Sequence, residues 1–430
     1  MTPSQAKPQA QDLLNFIDAS PSPWHAVDTS EQRLLKAGFI KLNEALAWQL
    51  QAGGSYYVVR GGASIIAFSI GKQALTDSGF RIIGAHTDSP GLRLKPNAAY
   101  GNDGLVRIAV EVYGGPILAT FTDRDLSVAG RVNVRTANGF EARFVKFDSA
   151  LMRLPNLAIH MNREVNDKGL ILNKQTELPL IFGEGTEGLA ADQQFLEYLA
   201  LALCIQVSDI VNFELNVFDT QNGVFWGANQ EFIANSQLDN LASCHAALSA
   251  LLANKKPKNT AICALFDHEE VGSESATGAS GSFLADIVDR ITLHLNKEEK
   301  LRALAHSFFI SADMAHAFHP NHASSYEPCH HVHINKGPVI KMNANQRYAT
   351  DSESAARFIR LCEQAGVPYQ QYAHRSDLGC GSTIGPIVAS RLGVSSVDVG
   401  SPMWAMHSIR ESAGVLDHAY MIKVLTSYYS

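Results

Sequence analysis

The spacing of apolar positions changes character three times along the chain. From Gln11 to Ala26 it is helical, starting Gln-Asp-Leu-Leu-Asn-Phe-Ile and stopped by Ser20-Pro21-Ser22-Pro23. Tyr56 to Ile70 predicts a hairpin turning at Gly61-Gly62, and Phe80 to Ala85 is a short apolar run expected of a buried central strand. From Leu105 to Phe147 the period becomes two. Val106, Ile108, Val110 and Val112 alternate with Arg107, Ala109 and Glu111, and Gly114-Gly115-Pro116 makes a turn. Further strands are predicted at Ile117–Thr122, Gly130–Val134 and Ala142–Phe147. Such alternation predicts an antiparallel sheet with one wet face. Ala190 to Val207 predicts a helix and Ile210 to Phe218 another strand.

After about residue 222 helix and buried strand alternate again. Leu241, Cys244, Leu248 and Leu251 keep a helical stripe, and Ala261–Phe266, Phe308–Ala312 and Val394–Val399 are short apolar strands. The pattern predicts an α/β fold: one discontinuous domain, 1–92 and 223–430, interrupted by an inserted β-rich domain, 93–222.

Composition narrows the function classes. The 430 residues are 46% hydrophobic and 18% charged, which excludes a disordered or collagen-like chain. Lys and Arg total 35 against 42 for Asp and Glu, net −7, with no basic run. Neither nucleic acid nor an anionic membrane is therefore an expected partner. No apolar run approaches the ~20 residues that span a bilayer, and the N-terminus has no basic start, apolar core or cleavage site. A cytoplasmic protein is expected. Six scattered cysteines without a CxxC pair suit reduced thiols in that compartment.

Several carboxylates and histidines share one placement. His86 and Asp88 follow the strand RIIGA, Glu269 and Glu270 follow AICALFD, and Asp313 follows FFISA. In open α/β sheets function gathers at the carboxyl ends of strands. Asp239 opens a helix, and His407 lies in a loop after SSVDVG. Taken singly each has a plain structural reading: His86 a strand-end histidine, Asp239 a helix N-cap, Glu269-Glu270 a solvated turn. Together, as histidine and carboxylate ligands without cysteine, they suit Zn²⁺, Co²⁺ or Mn²⁺. Asp88 would orient His86. Asp239, Glu270 and Asp313 bring three negative charges, which two divalent ions and one bridging hydroxide balance. Seven of the sixteen histidines fall between His306 and His333. Cys329-His330-His331-Val332-His333 has metal-like spacing, but the ligand set is complete without it.

At these residues the sequence resembles the aspartyl aminopeptidase family of dinuclear zinc metallopeptidases. The resemblance covers most of the chain, through LLNFIDASPSPWHAV, GAHTDSPGLRLKP, LPNLAIHMNR, SQLDNLAS, FDHEEVGS, SADMAHAFHPN, GPVIKMNANQRYATD, GSTIGP and VGSPMWAMHSIRE, in that order. It implies a zinc peptidase-like catalytic domain, its central mixed sheet flanked by helices, with two Zn²⁺ per subunit. One metal would lie on His86 and Asp313 and the other on Glu270 and His407. Asp239 would bridge both, and its peptide bond to Asn240 would be cis. Glu269 would be the general base that moves the water proton to the leaving amine. The substrates implied are peptides with a free N-terminus. The insertion would be a dimerisation domain, with dimers building a tetrahedral dodecamer and His160 reaching a neighbouring subunit's site. Lys341 and Tyr348, both in KMNANQRY, would bind substrate, the lysine favouring an acidic first residue.

Two rival readings stand beside this one. A dinuclear carboxypeptidase or deacylase would use the same metals and recognise a terminal carboxylate. A shell-forming binding protein would carry a vestigial site, against which the complete ligand set with Glu269 argues.

Overall fold

The structure, a computed structural model, describes residues 1–255 and 257–430. It divides into two units, Met1–Asp88 with Gly223–Met406 and Glu411–Ser430, and Ser89–Asn222 with His407–Arg410.

The first unit is built on a nine-stranded mixed sheet. Its centre is parallel: Thr260–Phe266, Phe80–His86, Phe308–Ala312 and Ser395–Gly400 lie side by side. Residues alternate between two packed faces, which is why these strands are continuously apolar. Ile83, Ala85, Cys263, Leu265, Ile310 and Val397 face one core, shared with the helices Pro3–Asp18, Leu238–Ala253, Ser352–Ala365 and Val415–Tyr429. Ile82, Ile262, Ala264 and Phe309 face the other, against Phe283–Ile291 and Ile384–Leu392. The hairpin Ser55–Arg60 to Ser64–Ser69 extends the sheet, turning through Gly61 and Gly62, both at positive φ. A smaller five-stranded sheet contains Phe232–Asn235, Glu411–Gly414 and Ala315–His316.

The opening segment departs from expectation. Two helices form, Pro3–Asp18 and Pro23–Lys36. The Ser-Pro-Ser-Pro run ends the first and starts the second: the Ser22 hydroxyl accepts the His25 N–H, and Pro23 takes the first-turn place where a missing N–H costs nothing.

The second unit is a six-stranded antiparallel sheet, in the order Gly139–Lys146, Leu126–Thr136, Ile210–Asp219, Gly91–Asn102, Leu105–Tyr113, Leu180–Glu184. The helix Ala191–Leu203 packs on it through Phe195 and Leu199. The strand expected at Ile117–Thr122 is instead a 3-10 turn, Leu118–Phe121, where Thr120 and Thr122 hydroxyls bond backward to Ile117 O and Ala119 O. Among the described residues no helix is long and apolar enough to cross a membrane.

Candidate metal centre

The parallel strands of the first unit end at one edge of the sheet, and their last residues converge there. His86, the final residue of Phe80–His86, is 1% exposed. Its Nδ1 donates to the Asp88 backbone oxygen at 2.9 Å, because a carbonyl can only accept. That leaves Nε2 as the atom that could bind a metal. Nε2 stands 3.5 Å from Asp239 Oδ1, 3.6 Å from Asp313 Oδ1 and 4.0 Å from Glu269 Oε2. The ligand atoms of His86, Asp239 and Glu270 lie within 4.8 Å of one another, as do those of His86, Glu269 and Asp313.

A lone pair and several carboxylate oxygens aimed at one another have no proton to share among them unless one is protonated. The titration directions express this conflict. Burial opposes the His86 imidazolium, but Glu269, Asp239, Asp313 and Asp88 outweigh it and hold its pKa well above the histidine norm. Burial drives Glu269 up to about 8, eased by His86 and reinforced by Asp313, Asp88 and Asp239. Burial, with Asp239 next, pushes Glu270 well above the carboxylate range. A divalent cation removes the conflict, and imidazole with oxygen donors is a fitting set for zinc.

Supporting contacts hold these side chains in place. Asp239 sits at the start of Leu238–Ala253, joined to Asn240 by a cis peptide bond, as the resemblance implies. Its N–H donates to Glu411 Oε2 at 2.9 Å, and Asn240 Nδ2 donates to Ala312 O at 2.9 Å. Asp88 accepts the N–H groups of Glu269 and Glu270. Sequence reasoning singled out His86, Asp88, Asp239, Glu269, Glu270 and Asp313, but not Glu411, a carboxylate 1% exposed whose signal was its place in the motif ending MHSIRE.

Lys341 and Tyr348 also lie in this unit. Lys341 is buried, and its Nζ donates to Met314 O at 3.1 Å and stands 3.4 Å from Asp313 Oδ2. Tyr348 lies beneath it, the ring centroid 5.0 Å from Nζ. His316, three residues after Asp313, was also missed. Burial, with Lys341 and His374 adding to it, pushes its pKa down to about 4 and keeps it neutral at pH 7.

Three further candidates remain. His407 belongs to the second unit, where its Nδ1 is 3.1 Å from Gly115 O. His160 lies on an exposed turn of that unit. In the Cys329–His333 tract, His330 bonds Glu327 and His331 stacks on Phe318 with centroids 4.0 Å apart. Among the described residues, neither ligand cluster includes a member of this tract.

A histidine–carboxylate centre at the carboxyl ends of parallel strands suits a metal-dependent hydrolase. The chain belongs to the M18 family, the aminopeptidase I zinc metalloproteases, whose model matches residues 16–429. It is accordingly a zinc aminopeptidase. It is 47% identical over 422 residues to a probable M18 family aminopeptidase 2 of Pseudomonas aeruginosa, covering 98% of this chain and 97% of that one. A counterpart of the same name in Azotobacter vinelandii is 46% identical over the same shares. Among solved structures, the chain in a complex titled Ape4 and Nbr1 superposes with a TM-score of 0.95 at 39% identity, covering 99% of this chain and 86% of that one. An S. cerevisiae mApe1 dodecamer gives a TM-score of 0.85 at 28% identity, over 98% and 96%.

Proposed function

We propose that the chain removes the N-terminal residue of peptides at a two-zinc site, with Asp and Glu the favoured first residues. The observation that carries this reading is the pair of ligand groups sharing His86: one with Asp239 and Glu270, one with Glu269 and Asp313. His86 and Asp313 would hold one ion, Glu270 and His407 the other, with Asp239 between. For His407 the support is the family resemblance. Zinc bound there lowers the pKa of a coordinated water and polarises the scissile carbonyl. Glu269 receives the water proton on a carboxylate oxygen and passes it to the departing amine. Asp88 keeps His86 and both glutamates in place. Neutral His316 and buried Lys341 line the substrate side with Tyr348, the lysine supplying the positive charge that an acidic side chain seeks.

We also propose that the Ser89–Asn222 unit pairs subunits, and that the dimers build a dodecamer with His160 reaching a neighbouring subunit's site. The solved mApe1 dodecamer supports this. So do Leu157, Ile159 and Met161, 47–74% exposed around His160 on this unit. A reducing cytoplasm suits the six unpaired cysteines.

The test is a panel of aminoacyl chromophores and short peptides assayed with zinc and with a chelator. Zinc-dependent release from free N-termini, abolished by N-acetylation and fastest for Glu and Asp, is expected. Cleavage that survives acetylation and requires a free C-terminus would instead favour the carboxypeptidase reading.

A further inference from the structure

His374, beside the substrate side of the centre, has a buried polar atom that no other group among the described residues uses. His374 follows the edge strand Gln370–Ala373, which runs parallel to the Val339–Met342 strand carrying Lys341. Its ring lies 6.3 Å from that of His316. Its Nδ1 is 2.5 Å from the Tyr372 hydroxyl. Its Nε2 is buried and has no hydrogen-bond partner among the described residues. With the Tyr372 hydroxyl donating to Nδ1, the ring carries an N–H at Nε2. A buried N–H donor with no acceptor is costly, and native structures rarely keep one without use.

Lys341 sharpens the question of what that donor is for. Of its three N–H groups, one is given to Met314 O and one is directed to Asp313 Oδ2. One remains for a ligand. A carboxylate has two oxygens and is best held by two donors. His316 is neutral and adds no charge.

We propose that His374 is a specificity-determining residue, its Nε2–H pairing with one side-chain carboxylate oxygen of an acidic N-terminal residue while Lys341 holds the other. Tyr372 is then a positioning residue that locks the ring in the donor tautomer. This inference rests on the acidic preference proposed above, and it adds the second half of the acid-binding pair.

The test measures kcat and KM for Glu-, Asp- and Leu-chromophores with the zinc-loaded enzyme and with His374→Ala, His374→Gln and Tyr372→Phe. His374→Ala should lower kcat/KM for Glu and Asp about ten- to a hundredfold, the range of one charge-assisted hydrogen bond. The loss should appear in KM, and Leu should be unaffected. His374→Gln, whose amide can reach the Nε2 position, should recover most of it. Tyr372→Phe should lie between. Binding of free aspartate as a competitive inhibitor should weaken in the same order. Equal loss for Glu and Leu, or a Glu:Leu ratio unchanged in His374→Ala, overturns the assignment while leaving the acidic preference intact. A wild-type enzyme without acidic preference overturns both.

Discussion

Asp88 divides its carboxylate between two neighbours in sequence: Oδ1 accepts the Glu269 N–H and Oδ2 the Glu270 N–H, each at 3.1 Å. Its backbone oxygen takes the His86 Nδ1–H as well. One buried residue after one strand therefore sets three side chains of the centre, two of them after a neighbouring strand. Asp88→Ala leaves two backbone donors unpaired, at about 1–3 kcal/mol each. A clear fall in melting temperature is expected, with zinc affinity or turnover down about 10- to 100-fold, as for other residues that orient metal ligands. Zinc titration and thermal melts on the same preparation check both. A variant with unchanged melting and unchanged zinc affinity would remove Asp88 from this role.

Glu269 is close enough to His86 and Asp313 to be counted with the ligands, yet the proposed reaction uses it to carry a proton. The two roles separate in Glu269→Gln. The amide keeps the shape and cannot take the proton, so turnover should fall by at least about 10²–10⁴, with bound zinc unchanged by elemental analysis. Loss of zinc in this variant would make Glu269 a ligand. Asp239→Ala is the contrasting case: as the residue proposed to stand between the two ions, its loss should empty both zinc positions.

The sequence revealed much of the centre because its carboxylates are misplaced by ordinary standards. Asp313 follows a wholly buried strand, and Glu269-Glu270 come after another, where an acid without a cation is expensive. The Gly61-Gly62 hairpin was legible for a similarly local reason. What failed was decided at a distance or by side-chain competition. Pro23 reads as a stop but also opens a helix, because Ser22 caps it. The stretch 117–122 has strand composition, but its threonine hydroxyls satisfy the backbone in a turn. The pairing of Lys341 with Asp313, the position of His316 and the hold of Glu411 on Asp239 depend on sheet order, which residue spacing does not encode.

A chain of polar groups runs from the surface pair Arg33 and Asp12 into the core at His245 and His418. Arg33 clamps Asp12 with two bonds of 2.9 Å, Asp12 bonds His245 Nε2 at 2.8 Å, and His245 Nδ1 meets His418 Nε2 at 2.9 Å. Burial lowers the pKa of both histidines; for His418 the neighbouring His245 adds to this, while for His245 the Asp12 bond partly opposes it. The unfolded chain therefore binds more protons here below about pH 6.5. This contribution to stability is complete above that pH and is lost as the pH falls, with a limiting slope of about 1.4 kcal/mol per pH unit for each histidine. Asp417, pushed up to about 7 by burial, works in the opposite direction, since its folded form holds a proton that the unfolded form releases. Comparison with a variant isolates the histidines. His418→Leu should be less stable than wild type at pH 7.5, and its urea midpoint should fall less steeply between pH 6.5 and 5. Parallel curves would show that His418 does not titrate on unfolding.

Lys341 is the cation that the first unit places against Asp313, and both are largely buried, with side chains 3% and 13% exposed. On the proposed reading it would have two separable duties. Without zinc, its ammonium is a near partner for the Asp313 carboxylate. Removing one member of a buried pair costs about 3–5 kcal/mol, because the other is left charged in a poor solvent. With zinc bound, the metal takes over that compensation. Lys341→Met keeps most of the volume and removes the charge, so the two states should respond differently. The chelated variant should melt well below the chelated wild type, whereas the zinc-loaded proteins should melt close together. Specificity should change in the loaded enzyme: kcat/KM for Glu substrates should drop about 10- to 100-fold relative to Leu, the value of a lost charge-assisted hydrogen bond. Zinc content should stay at the wild-type level, since an ammonium donates no lone pair to a metal. Equal losses for Glu and Leu would reduce Lys341 to a support of Asp313. An unchanged melting difference between chelated and loaded forms would break the link between the lysine and the ligand. The two measurements test the two duties independently on one protein.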